Sequence, residues 1–258
     1  MFGNILAYAK GNIDLVTADD IKVKVDSRLK KIGLSLIGLP HTEMRSRARL
    51  IFKNCQLKIR DKLLDAGCGI GLHGFEYDLK SKADVIGIDF SEEKISNAIK
   101  IKESLKSDMH FIVGDITDIP LSDNSFNAII CSEVLEHIKE DKKALKELVR
   151  VLKKDGTLIL SFPAYTRHSM INMKKFGHVR IGYSLTMIKK MAKDNNLKIE
   201  SISGYSYNFG KLAWWANEKT FKVPILAALC FPLLYALTFL DILKWGKPNG
   251  WVVKFSKM

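Results

Sequence analysis

The stretch Leu63-Leu64-Asp65-Ala66-Gly67-Cys68-Gly69-Ile70-Gly71 decides the fold of this 258-residue chain. Its two leucines predict a buried parallel strand, and its three glycines let the backbone turn tightly into the start of a helix. Asp65 then falls at the carboxyl end of the strand, where ligands bind in open α/β sheets. The stretch therefore predicts a strand, a glycine-rich turn and a helix built around a ligand.

Two more acids end predicted strands, and their spacing indicates the ligand. Asp89 closes the apolar segment 84–89 and lies 24 residues after Asp65. In dinucleotide folds an acid about 20 residues on binds the ribose hydroxyls. Asp115 follows a third apolar segment, where its carboxylate can accept a hydrogen bond from the adenine amino group while Ile116 packs on the ring. The three acids predict a cofactor that contains adenosine.

The glycine spacing argues against a nicotinamide cofactor. The nicotinamide fingerprint G-x-G-x-x-G would place its last glycine at position 72, where the chain has Leu72. A glycine-rich turn by itself is weak evidence, because α/β proteins commonly need glycines between strand and helix. The dehydrogenase class is therefore not favoured.

Five segments, in order, resemble the successive motifs of class I S-adenosylmethionine-dependent methyltransferases. They are residues 64–71, 87–91, 114–127, 132–137 and 151–158, so the resemblance covers about residues 45–205. It implies an α/β fold: a Rossmann-like, doubly wound, mostly parallel seven-stranded sheet that holds S-adenosylmethionine across the carboxyl ends of its first strands. The cofactor-binding residues that it implies are Asp65, Gly67, Gly69, Gly71, Asp89, Phe90, Asp115, Ile116 and Cys131.

Under this interpretation the chain has four parts. They are a helical N-terminal preface (1–60), an S-adenosylmethionine-binding domain (61–210), an apolar helical insertion predicted to contact a membrane (211–249), and a final edge strand and tail (250–258). The preface carries a basic patch at Arg45, Arg47 and Arg49. Two interpretations of the patch stand: a solvated helix face, or a contact with an acidic substrate or a lipid headgroup.

One short segment after the predicted strand 126–131 leaves its chemistry open. Glu133, Glu136 and His137 are spaced i, i+3 and i+4, so a helix would place them on one face. Three roles are open. These residues could hold a divalent cation together with His168 or His178, or they could have a structural or substrate-orienting role. Alternatively, His137 could remove a proton from the substrate. We assign His137, with His178, as the catalytic base of O-methylation, because imidazole titrates near neutral pH, and we assign no metal.

The long loop 163–182 is basic and carries aromatic side chains. Loops at the carboxyl edge of such a sheet usually contact the substrate, so an anionic or glycan acceptor is one interpretation. The other is that its arginines and lysines only solvate the loop.

Residues 223–240 form a run of eighteen residues without a charge, with Pro232 near its middle. Proline removes a helix hydrogen bond, so we expect two short apolar arms that form a re-entrant or in-plane membrane hairpin. A buried cap, a homodimer interface and a true membrane span are the alternatives. The net charge of +13 favours an anionic membrane surface. Nucleic acid is not expected, because the sequence shows no recognised RNA-binding module.

Together these features predict methyl transfer from S-adenosyl-L-methionine to an oxygen of a small or lipid-linked acceptor of quinone, polyprenyl or glycan type. Four isolated cysteines and the lack of a secretory signal predict a cytoplasmic protein at the inner face of the cell membrane. The alternatives are N- or C-methylation of a soluble acceptor, and a non-enzymatic membrane-surface protein that keeps the fold.

Overall fold

A computed structural model describes residues 15–16, 22–23, 41–173, 177–220 and 224–258. The strands are β1 (Leu15–Val16), β2 (Lys22–Val23), β3 (Lys62–Ala66), β4 (Asp84–Asp89), β5 (His110–Val113), β6 (Phe126–Ser132), β7 (Leu152–Pro163), β8 (Leu197–Tyr205) and β9 (Gly250–Lys257). The α-helices are α1 (Thr42–Asn54), α2 (Leu72–Ser81), α3 (Glu92–Leu105), α4 (Asp141–Val151), α5 (Arg167–Asn172), α6 (Leu185–Asp194), α7 (Asn208–Thr220) and α8 (Pro224–Leu237). Short 3₁₀ helices span Leu135–His137 and Thr238–Leu243.

Seven strands form one sheet in the order β5-β4-β3-β6-β7-β9-β8. The first five in that order are mutually parallel, and β9 runs antiparallel to both of its neighbours. The chain winds outward from β3 in one direction and from β6 in the other, so the strand order reverses between these two strands. This arrangement confirms the predicted Rossmann-like sheet and places a crevice at the carboxyl ends of β3 and β6.

Hydroxyl caps begin two of the helices. The Ser91 hydroxyl oxygen accepts a hydrogen bond from the Lys94 backbone N–H at 3.3 Å, and α3 follows. The Ser184 hydroxyl accepts from the Met187 N–H at 3.2 Å at the start of α6. Each cap satisfies a backbone donor that the helix itself leaves without a partner.

The final strand is not at the sheet edge, which corrects the prediction for residues 250–258. β9 lies between β7 and β8, and β8 takes the edge position. The reason is visible in its side chains, since Val252, Val253 and Phe255 are fully buried and belong to the cores on both faces of the sheet. A strand that is apolar on both faces buries more apolar surface in the interior of a sheet than at its edge. The interior position is therefore more stable.

The N-terminal preface is helical only in α1 among its described residues. Residues 15–16 and 22–23 pair as two short antiparallel strands, so the prediction of a helical preface is wrong there. The remainder of the prediction for 1–40 lies outside the described residues.

The basic patch packs against other parts of the chain rather than forming a solvated face, with Arg47 buried and Arg45 and Arg49 half-buried. The Arg47 side chain is 3% exposed and its Nη1 lies 3.3 Å from Glu133 Oε2. The Arg45 guanidinium carbon lies 4.7 Å from the Phe231 ring centroid, and that of Arg49 lies 4.1 Å from the centroid of Phe239. Residues four apart share a helix face while the residue midway between them points away, so α1 contacts two different partners.

The apolar insertion forms a helical hairpin from α7 and α8. Pro232 lies inside a continuous α8, so the prediction that it splits the segment into two arms is wrong. The aromatic rings of Phe231 and Tyr235, on either side of the proline in sequence, stack with centroids 5.9 Å apart. Both rings pack on Arg45 of α1, and this packing offsets the helix hydrogen bond that proline removes. In the described part of the chain, no helix combines the length and the apolar character that a membrane crossing requires.

Candidate active site

The glycine-rich turn brings β3 and β4 together at the crevice. The backbone N–H groups of Gly67 and Cys68 both donate to the Ile88 carbonyl oxygen, at 2.8 and 3.0 Å. Gly67 has φ of 70° and Gly69 has φ of 55°, conformations that favour glycine. Gly71, also left-handed, precedes the first residue of α2. The turn thus exposes backbone to a ligand at the start of a helix.

Asp65 is an acid buried beneath this turn. It is 2% exposed, and its Oδ2 accepts a hydrogen bond from the Gly74 N–H at 3.0 Å. Burial, and to a smaller extent the neighbouring Asp89, raise the pKa of Asp65 to about 7, although the Gly74 hydrogen bond acts in the opposite direction. A positive ligand group would favour the ionised carboxylate.

Asp89 and Asp115 are held in place by backbone hydrogen bonds. Asp89 accepts from the Gly69 N–H at 2.8 Å through Oδ2 and from the Ser91 N–H at 3.0 Å through Oδ1. Asp115 Oδ1 accepts from the Thr117 N–H at 2.8 Å. Carboxylate oxygens have more than one lone pair, so both acids retain acceptor capacity on the cavity side.

A cavity of about 480 Å³ opens at the crevice, within the about 300–1,000 Å³ common for small-molecule sites. The predicted residues that line it are Asp65, Gly67, Gly69, Asp89, Phe90, Asp115, Ile116 and His137. Gly71, Cys131 and His178 do not line it. Cys131 points into the core because side chains alternate along β6, and the next residue, Ser132, lines the cavity instead.

The two predicted catalytic histidines contact each other, and of the two only His137 lines the cavity. The rings of His137 and His178 lie 4.7 Å apart between centroids and are nearly perpendicular. His137 Nδ1 lies 3.4 Å from the carbonyl oxygen of Gly177. Ligand atoms of Glu136, His137 and His178 fall within 4.8 Å of one another, which is a spacing that a cation could share.

Glu133 does not share a face with these residues, so the predicted helical grouping is wrong. It has φ of 57° and precedes a 3₁₀ helix, which turns its side chain away from His137. Its Oε1 accepts hydrogen bonds from the hydroxyls of Tyr205 at 3.0 Å and Ser161 at 3.1 Å, and its Oε2 faces Arg47.

The basic loop covers the histidine pair rather than standing free in solvent. The Val179 N–H donates to the Glu136 carbonyl oxygen at 2.9 Å, and Arg180 Nη1 lies 2.9 Å from Asp141 Oδ2. Residues 174–176, which supply part of the predicted acceptor contact, lie outside the described residues. The loop thereby packs against the segment 136–141, and none of its described residues lines the cavity.

Sequence reasoning missed several cavity residues that come from helices outside the motifs. Met44 and Arg47 reach the cavity from α1, and His73 reaches it from α2. Burial and the nearby Arg47 lower the pKa of His73 to about 3, so this imidazole is neutral at pH 7. The signal in the sequence was the position of Arg47. It lies midway between Arg45 and Arg49, which share a helix face, so its side chain must point in a different direction.

Comparisons with known proteins show the family to which the chain is similar. A family model described as a methyltransferase domain matches residues 57–220. A demethylmenaquinone methyltransferase of Renibacterium salmoninarum is 26% identical over 200 residues, which cover 78% of this chain and 79% of that protein. Its namesake in Paenarthrobacter aurescens is 30% identical over 143 residues, which cover 55% of this chain and 54% of that protein.

A solved structure shows the same fold. It is phosphoethanolamine N-methyltransferase 2 of Haemonchus contortus in complex with S-adenosyl-L-methionine, with a TM-score of 0.65 at 16% identity. The match covers 100% of this chain and 60% of that chain.

The residues of the cavity fit the same cofactor. The carboxylates of Asp89 and Asp115 could accept hydrogen bonds from the hydroxyls and amino group of adenosine, the turn at Gly67 and Gly69 leaves the backbone open, and the buried Asp65 would favour a cation. The match to a methyltransferase family gives no support for a nicotinamide cofactor. The chain belongs to the class I methyltransferases, and S-adenosyl-L-methionine is its cofactor.

Proposed function

We propose that this enzyme transfers a methyl group to an oxygen of a hydroxylated, quinone-type acceptor. The observation that carries the proposal is His137, which lines the cavity and packs against His178, because a hydroxyl acceptor must lose its proton as it is methylated. The names of the two demethylmenaquinone methyltransferases support a quinone as the class of acceptor.

The histidine pair suits a proton acceptor. If Nδ1–H of His137 donates to the Gly177 carbonyl, the lone pair of Nε2 is available to take the hydroxyl proton. The perpendicular His178 ring holds His137 in one orientation. When bound, S-adenosylmethionine supplies the methyl group from its sulfonium, and the product is the thioether S-adenosylhomocysteine. Placement of the acceptor oxygen in line with that sulfonium then contributes much of the rate.

A ring carbon of the same acceptor is the second candidate atom. The relatives named for demethylmenaquinone act on a quinone, and a deprotonated quinol shares its negative charge between its oxygen and the adjacent ring carbons. The same base at His137 serves both outcomes. Proton NMR of the methylated product distinguishes a methoxy group from a ring methyl group.

We also propose that the acceptor is lipid-linked and that the enzyme works at the cytoplasmic face of the membrane. Exposed leucine, isoleucine and tryptophan side chains on α7, α8 and the following 3₁₀ helix support this location. The strongly basic chain supports it as well, since the cytoplasmic leaflet is anionic.

The catalytic proposal is tested with 1,4-naphthoquinol as the acceptor. We expect His137→Gln to lower kcat by about 10²–10⁴-fold at pH 7, with part of the loss recovered at high pH where the quinol ionises unaided. Affinity for S-adenosylmethionine, measured by calorimetry, should stay unchanged. The matched control is His110→Gln, at an exposed histidine on β5 outside the cavity lining. Full turnover by His137→Gln would remove the base from the mechanism.

A further inference from the structure

One surface of the helical hairpin presents apolar side chains to solvent in a helical repeat. Leu226, Leu229 and Leu233 follow the spacing i, i+3 and i+7 on α8, and the latter two are 74% and 76% exposed. The surface continues through exposed Leu240 and Ile242 of the 3₁₀ helix. It is completed by Leu212, Trp215, Leu243 and Trp245, which are also exposed. We call these nine residues the docking face.

The opposite side of α8 is already occupied. Phe231 and Tyr235 lie over the Arg45 guanidinium at 4.7 and 5.5 Å, and Phe239 lies over Arg49. These contacts fix the rotation of α8 about its axis. The leucine stripe therefore faces outward as a consequence of packing on α1, and rotation of the helix would break those contacts.

The exposed charged side chains at the ends of the docking face are lysines, and Glu218 on α7 is half-buried. Asp241 is the single acid between residues 224 and 245, and it turns inward to accept hydrogen bonds from the Tyr207 and Gly210 N–H groups, both at 3.0 Å. Lys219, Lys244 and Lys247 are exposed at the ends of the hairpin. An apolar face bordered by cations complements an anionic lipid surface.

We propose that the docking face binds the surface of an anionic lipid bilayer, with α8 lying in the plane of the membrane. At 14 residues α8 measures about 21 Å, which suits an in-plane helix better than a crossing one. A second copy of the chain fits the face less well, because it would bring the same lysines and a net charge of +13 against themselves.

Helix α1 connects the docking face to the cavity. Arg45 packs on α8 while Met44, the preceding residue, and Arg47 line the cavity. Binding through the docking face would therefore place α8 between the bilayer and the helix α1 that forms part of the cavity wall. This role rests on the proposed function, whereas bilayer binding itself is measurable without any acceptor.

The test is vesicle flotation of the full chain. The vesicles are phosphatidylcholine alone, or phosphatidylcholine and phosphatidylglycerol in equal amounts. We expect the wild type to float with the mixed vesicles and much less with phosphatidylcholine alone. Leu229→Glu with Leu233→Glu should weaken binding by about tenfold or more for each leucine. Lys244→Glu with Lys247→Glu should weaken binding to the mixed vesicles only.

Two controls keep the test specific. Ile59→Glu alters an exposed isoleucine outside the docking face, and Lys100→Glu alters an exposed lysine on α3, so both variants should float like the wild type. Circular dichroism and thermal melts check that every variant folds. Turnover of water-soluble 1,4-naphthoquinol without vesicles should be the same for the docking-face variants and the wild type.

Three results would overturn the docking proposal. They are no flotation of the wild type with mixed vesicles, unchanged flotation of the double leucine variant, and a wild-type dimer in light scattering that the leucine variant abolishes without any vesicle binding. The last result would assign the face to self-association. If naphthoquinol turnover persists in these cases, the catalytic proposal stands and only docking fails. If the protein binds vesicles but does not turn over naphthoquinol, the docking proposal stands and the catalytic proposal fails.

Discussion

At the scale of single residues, the fold changes the acidity of Asp65. The carboxyl lies in a dry site beneath the glycine-rich turn, so its pKa rises from 3.8 to about 7. The same change is absent from an exposed aspartate, because water stabilises the ionised form there. A cation in the cavity would lower this pKa again, which couples cofactor binding to release of a proton.

The raised pKa predicts how stability depends on pH. Because the native carboxyl titrates at about 7 and the unfolded one near 3.8, the stability that neutral Asp65 contributes is present below pH 3.8 and lost as the pH rises through 7. Asp65→Asn should therefore gain free energy of unfolding relative to the wild type between pH 4 and pH 7. Urea denaturation at several pH values measures the difference. A constant difference across this range would contradict the prediction.

Substitution of Asp89 should lower the affinity for the cofactor. Asp89→Ala removes the predicted ribose acceptor and also releases the Gly69 and Ser91 N–H groups that it holds. We expect S-adenosylmethionine to bind at least about tenfold more weakly, since a hydrogen bond to a charged group contributes about 1.5–3 kcal/mol. Calorimetry measures the affinity. Asp84→Ala, an exposed acid at the other end of β4, is the control and should bind normally.

At the scale of an element, the turn between β3 and α2 depends on two glycines for different reasons. A Cβ at Gly67 would collide with the side chain of Val134, which belongs to the segment that leads to His137. A Cβ at Gly69 would meet no atom within 4 Å, so only its φ of 55° resists substitution. Backbone conformation thus resists substitution at both glycines, and packing against Val134 adds to it at Gly67.

This difference predicts unequal effects of alanine in the turn. Gly69→Ala should cost about 1–2 kcal/mol through its left-handed backbone. Gly67→Ala should cost more, because it must also displace Val134 against the cavity wall. We expect a lower melting temperature and weaker S-adenosylmethionine binding for Gly67→Ala than for Gly69→Ala. Equal losses in both variants would show that Val134 moves aside freely.

At the scale of the whole molecule, α1 joins three parts of the chain that are distant in sequence. Arg47 pairs with Glu133 after β6, Glu133 accepts from Tyr205 at the end of β8, and Arg45 and Arg49 hold the aromatic rings of α8 and the adjoining 3₁₀ helix. The buried pair lies in the cavity wall, so the packing of the outer helices and the shape of the site depend on the same helix.

The buried ion pair of Arg47 and Glu133 predicts that substitutions of the two residues have strongly coupled effects on the free energy of unfolding. Arg47→Met would leave the Glu133 carboxylate buried without its arginine partner, at a cost of about 3–5 kcal/mol in unfolding free energy. Adding Glu133→Gln should recover most of that loss, because the uncompensated charge disappears. Urea denaturation of the single and double variants measures the coupling. The control, Lys190→Met, removes an exposed pair with Asp194 and should change stability by less than about 1 kcal/mol.

The sequence alone predicted those parts of the molecule that local patterns encode. The run from Leu63 to Gly71 specified a strand, a turn and a helix, and Asp89 and Asp115 identified strand ends, because burial period and glycine spacing are properties of neighbouring residues. The hydroxyl caps at Ser91 and Ser184 are local in the same sense, because each accepts from a backbone N–H three residues further on.

The tertiary structure alone decided what depends on residues that are distant in the chain. β9 lies inside the sheet because apolar residues from both cores cover it, and Glu133 faces Arg47 because a backbone turn separates it from His137. Pro232 stays within a helix because rings from that helix pack on Arg45. Local sequence fixes backbone preferences, whereas burial and charge pairing are settled only where separate segments meet.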